Sequence, residues 1–93
     1  MKIVYCAIPT KELDRQDEIM LFVINQGCVP FNPHLAFPRK YFEEGKIGRS
    51  KTMELCKCSI YWCDEFWYFG KSEGTDIEMQ KAKALGMTIK ILN

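Results

Sequence analysis

Residues 2–8, KIVYCAI, are apolar at almost every position, whereas residues 11–26 set Leu13, Ile19, Met20, Phe22, Val23 and Ile24 among polar neighbours at helical intervals. The unbroken run predicts a strand covered on both faces, as in a parallel sheet. The spaced set predicts an amphipathic helix, closed by Gly27 as its C-terminal cap. CVPFN, residues 28–32, predicts a second strand. Pro30 places it at a sheet edge, because proline brings no N–H to a ladder. Strand, helix, strand is one βαβ unit.

Residues 33–48, PHLAFPRKYFEEGKIG, lose the periodicity, and a short helix over Pro38 to Glu44 is the one element expected there. Ser50 to Ser59 reads as helix with Met53 and Leu55 turned inward. Residues 64–69 predict a third strand, 75–85 a helix ended by Gly86, and 87–92 a last strand. Strands that alternate with helices imply a parallel sheet with right-handed crossovers. The expected fold is therefore a single α/β domain over residues 1–93, three-layered and flavodoxin- or Rossmann-like, with four parallel strands in the order 2-1-3-4. Ligands in such sheets bind beyond the carboxyl ends of the strands, where the order reverses. That point lies between strands one and three, and it brings Ala7, Ile8 and Pro9 beside Gly70, Lys71 and Ser72.

Composition narrows the partners. The chain has 93 residues, 47% apolar and 27% charged, with a formal net charge of +1. A domain of this size buries roughly 60–65% of its unfolded surface, enough for one core. The near-neutral charge gives no reason to expect a nucleic-acid polymer or an anionic membrane as partner. No apolar run reaches the roughly 18 residues of a membrane span. The first apolar run has no small-residue cleavage site after it, so it reads as a strand and the expected location is the cytoplasm. Five cysteines (Cys6, Cys28, Cys56, Cys58, Cys63) make an odd number, which argues for reduced thiols. Their spacing fits no standard zinc pattern, and the reading calls for no metal and no cofactor.

The stretch FGKSEGTDIEMQKAKALG, residues 69–86, carries the candidate chemistry. Small residues at Gly70, Ser72 and Gly74 let a chain approach a ligand closely, and the helix that follows opens with unpaired N–H groups. Thr75 followed by Glu78 is also a capping box, which needs no substrate. His34, in NPHLAFP, is the single histidine and falls at the carboxyl edge of the sheet. Trp62 and Phe37 are candidates for an exposed ring that stacks a base, while most aromatics of residues 60–70 belong to the core. Arg39, Lys40 and Lys71 are candidates for a phosphate.

VYCAIP, then GCVPFNPHLAFP, then CDEFWYFGKSEGTDIEMQKAKALG occur in an order and at intervals that resemble the nucleoside 2-deoxyribosyltransferase-like superfamily, including its small phage and bacterial members. The resemblance covers nearly the whole chain. It implies N-glycosidic bond cleavage or base exchange on a nucleoside or nucleotide, with Glu78 as the catalytic nucleophile at the anomeric carbon. It implies a substrate crevice formed by Tyr5, Ala7, Ile8, Pro9, His34, Gly70, Ser72, Gly74 and Thr75, with Tyr5 under the sugar. Asp64 then has a role at the start of the sheet. Ile8 stands where the family usually has Gly, and Glu43, Glu44 and Glu54 are the candidates for a second acid. The resemblance also implies a homodimer. A binding module that holds a nucleotide or nucleotide signal in the same crevice without turnover is the alternative. On either reading the Glu78 carboxylate is expected in the crevice near Tyr5, Ala7 and Pro9, with helix N–H groups lowering its pKa.

Overall fold

A computed structural model describes residues 1–92. Its sheet has four strands, β1 (Ile3–Ala7), β2 (Val29–Phe31), β3 (Glu65–Tyr68) and β4 (Thr88–Ile91), in the order β2-β1-β3-β4. Every pairing is parallel: Tyr5 lies beside Phe31 on one side and Phe66 on the other, and Phe66 lies beside Ile89. This is the expected architecture, with β2 and its Pro30 at one edge. Asp64 accepts a hydrogen bond from the Ile3 N–H at 2.7 Å, which ties the entry of β3 to that of β1.

The unbroken apolar run of β1 serves two cores. Val4, Cys6 and Ile8 face α1 (Gln16–Asn25), where Ile19 and Val23 pack with Trp67. Tyr5 and Ala7 face the opposite layer, formed by α3 (Arg49–Tyr61) and α4 (Glu73–Ala84), where Cys56, Ile60 and Ala82 meet Phe66 and Tyr68. Alternation of side chains along a strand requires this division once both faces are covered. Fully burying a side chain such as Ile60 or Val23 contributes about 1.5–3 kcal/mol, so neither layer is dispensable. No helix among the described residues is long and apolar enough to cross a membrane.

Three local expectations are corrected. Thr10–Arg15 forms a 3₁₀ turn ahead of α1, so the helix expected from Lys11 begins at Gln16. The short helix of the irregular stretch is α2 (Pro33–Ala36), and residues 39–43 are turns instead. Asn32 caps α2 by accepting from the His34 N–H, and Pro33 occupies the first turn, where its missing donor is harmless. The inward face of α3 is Thr52, Cys56 and Ile60, four apart, while Met53 and Leu55 are only half-buried.

Candidate functional site

A cavity of about 230 Å³ opens beyond the carboxyl ends of β1, β2 and β3, against α3 and the start of α4. Its lip is the chain leaving β1, at Ile8, Pro9 and Thr10. Gly70 brings the end of β3 up to that lip. Its φ is +154°, and a Cβ there would lie 2.8 Å from Pro9 Cγ, so only glycine fits without displacement. From Gly70 the chain turns into α4, and Ser72 is the residue that caps it. Ser72 Oγ accepts from the Thr75 N–H at 3.1 Å, and Thr75 Oγ1 donates to the Gly70 carbonyl at 2.8 Å.

The cap at Ser72 corrects the capping box read at Thr75 and Glu78. α4 starts at Glu73, so Glu78 lies in its second turn and takes no part in capping. There it is buried at 6% exposure, yet its carboxyl reaches the cavity wall. The Tyr5 hydroxyl donates to Glu78 Oε2 at 2.5 Å. Burial raises the Glu78 pKa from its ordinary 4.5 to about 7, against smaller lowering effects from Tyr5 and the Cys56 thiol. The expected lowering by helix N–H groups is therefore overturned: a turn farther along, the carboxyl is out of their reach and loses its water instead. Burial and the adjoining carboxyl push the Tyr5 hydroxyl well above its usual range, so it stays a donor.

His34 closes another side. Its Nε2 lies 2.6 Å from the Ile8 carbonyl oxygen, which can only accept, so this nitrogen carries the proton. The contact fastens α2 to the exit of β1. Asn32, buried beneath, donates to Gln16 Oε1 at 2.9 Å and holds the same corner to α1.

The residues expected in the crevice divide. Ile8, Pro9, His34, Ser72, Gly74, Thr75 and Glu78 line the cavity. Tyr5, Ala7 and Gly70 do not. Tyr5 and Ala7 are fully buried in the sheet, Tyr5 stacked between Phe31 and Phe66 at 5.7 and 5.5 Å, and Tyr5 reaches the site only through Glu78. Of the other candidates, Phe37, Arg39 and Glu43 line the cavity, whereas Lys71 pairs with Asp76 at 2.7 Å outside it. Lys40 lies over the Tyr41 ring, Glu44 and Glu54 pair with Arg39 and Lys51 outside the cavity, and Trp62 is 77% exposed beside Tyr61. The sequence reading missed Arg49, Thr52, Cys56 and Glu73. Thr52 and Cys56 share one face of α3, a signal present in their spacing but hidden because neither is strongly apolar.

Fold and site together define a doubly wound α/β domain with a buried acid at the switch point of its sheet. The chain belongs to the family described as a domain of unknown function (DUF7768), whose model matches residues 5–92. Among solved structures it is similar to the CMP N-glycosidase BcmB of Clostridium botulinum, with 24% identity and a TM-score of 0.68. That match covers 97% of this chain and 67% of the other, and it shows the shared fold. No curated protein matches the chain in sequence.

Proposed function

We propose that the protein cleaves or exchanges the N-glycosidic bond of a nucleoside or nucleotide, with Glu78 as nucleophile. The observation that carries this reading is the Glu78 carboxyl at the cavity wall, held by the Tyr5 hydroxyl at 2.5 Å. Tyr5 engages Oε2, which leaves Oε1 for the anomeric carbon. A pKa of about 7 leaves roughly half of the carboxyls ionised at neutral pH, and a carboxylate with that basicity is a better nucleophile than a solvated one. In the first step an oxygen of Glu78 bonds to C1′ as the C1′–N bond breaks. The bonding pair leaves on the base, which takes a proton from water. In the second step water, or the nitrogen of a second base, displaces the carboxylate from C1′ and loses a proton. The likeness to a CMP N-glycosidase and the resemblance to deoxyribosyltransferase-like proteins support this class of substrate.

The second reading is a nucleotide-binding module without turnover. It is favoured by the same burial, since a carboxyl protonated half of the time is a hydrogen-bond donor as well as a nucleophile. Incubation with the four nucleosides and their 5′-monophosphates, followed by chromatography, tests both. Release of free base that disappears in Glu78→Gln supports catalysis, retention of intact nucleotide supports the module, and release undiminished in Glu78→Gln refutes the nucleophile.

A further inference from the structure

Two guanidinium groups from different parts of the chain face the cavity. Arg39 comes from the turns after α2, and Arg49 from the first residue of α3. Glu43 stands between them, one carboxylate oxygen toward each: Arg39 Nε to Oε2 and Arg49 Nε to Oε1, both at 3.8 Å. Glu73 lies 3.7 Å from Arg49 Nη2. These separations exceed the roughly 2.7–3.2 Å of an N–H···O hydrogen bond, so the cavity carboxylates neutralise the arginines without filling their donors. The one short contact, Arg39 Nε to Glu44 at 2.7 Å, is made outside the cavity. Arg49 makes no ion pair shorter than 3.7 Å among the described residues.

We infer that Arg39 and Arg49 are the phosphate-recognising pair of this cavity, and that a phosphomonoester on the substrate takes the place of Glu43 between them. The inference rests on the nucleoside or nucleotide reading of the cavity and narrows it to phosphorylated nucleosides. A planar guanidinium matches two oxygens of a phosphate at once, and charge-assisted bonds of that kind are about twice as strong as neutral ones. A dianion with three oxygens can engage both arginines, whereas Glu43 offers each a single oxygen at long range. Glu43 acts as a stand-in that keeps two like charges together while the cavity is empty. Its removal therefore favours the ligand.

Equilibrium titration of the wild-type chain with a nucleoside 5′-monophosphate and the matching nucleoside, by calorimetry at low salt, tests the pair. The monophosphate is expected to bind at least about tenfold tighter than the nucleoside. Arg39→Gln and Arg49→Gln should each reduce that ratio by about tenfold, and Glu43→Gln should raise it several-fold. Both arginines are half-exposed or more, and thermal melts of the variants verify that they remain folded. Equal affinity of the wild type for both ligands overturns the inference. So does a monophosphate preference that survives both substitutions, which places the phosphate on the Ser72–Thr75 turn. Base release from monophosphate and nucleoside at the same efficiency leaves the glycosidic reading standing and removes this one. Tight, arginine-dependent monophosphate binding without base release does the reverse.

Discussion

Replacing Glu78 by glutamine removes one titration from the core while keeping the shape of the side chain and an oxygen for the Tyr5 hydroxyl. In the folded wild type this carboxyl ionises near pH 7, and in the unfolded chain near 4.5. Below 4.5 both states hold the proton and the group is neutral to stability. Between the two values the unfolded state ionises first, so folding is favoured less as the pH rises, and the loss is complete above about 7. At about 1.4 kcal/mol per pH unit the full penalty is about 3 kcal/mol, most of which falls between about pH 5 and about pH 8. Glu78 is nine-tenths buried, so solvent screening does not reduce this figure materially. Glutamine carries no proton to lose. Urea unfolding of both proteins at those two pH values should show Glu78→Gln gaining about 2–3 kcal/mol on the wild type at the higher pH relative to the lower. A differential below about 0.5 kcal/mol would mean that the carboxyl ionises freely, and the assignment of a desolvated acid would be wrong.

Tyr5→Phe removes the hydroxyl that holds the Glu78 pKa down, so ionisation should move above about 7, and the loss of stability, still starting near pH 4.5, should continue to higher pH and run deeper. The loss at high pH should be about 1.5–3 kcal/mol by urea unfolding, the contribution of a hydrogen bond to a charged group, and smaller at low pH; an unchanged pH profile contradicts it. Ser72→Ala removes the cap of α4 and should lower stability by about 1 kcal/mol, and a variant as stable as the wild type would return the capping role to Thr75. Gly70→Ala puts a methyl 2.8 Å from Pro9 Cγ at a φ of +154°; a loss of about 1–3 kcal/mol is expected in thermal or urea melts, and a neutral result would show that the two strand ends are not in contact.

The sheet was legible because its strands are apolar runs bounded by Pro and Gly, and the order follows from chain direction and crossover handedness. Gly27, at φ +80° just beyond α1, and Pro30 on the edge strand did what their backbone chemistry requires. The start of α4 was misread because Ser72 and Thr75 are both good caps, and only the hydrogen bonds choose between them. The direction of the Glu78 pKa shift followed from that error, since a displacement of the cap by three residues moves the carboxyl from the helix mouth into the core. Arg49 was invisible for another reason. It meets Arg39 across a segment without periodicity, and convergence of two distant side chains on one cavity leaves no pattern along the sequence.

The stacking of Tyr5 between Phe31 and Phe66 sets how the two sides of the cavity behave in time. The acid is tethered through that ring to the innermost strand, so it cannot shift without opening the sheet, and its geometry is fixed before any ligand arrives. The arginine side is different. The hydrogen bonds of residues 41, 42, 44, 45 and 48 close back onto residues 38, 39 and 42, within the same segment. Amide protons of β1 should therefore exchange only through global unfolding, while those of residues 39–48 exchange through local opening. The cavity has one wall that is part of the core and another that can be resculpted, and substitutions that retune ligand choice can accumulate on the second without disturbing the acid on the first.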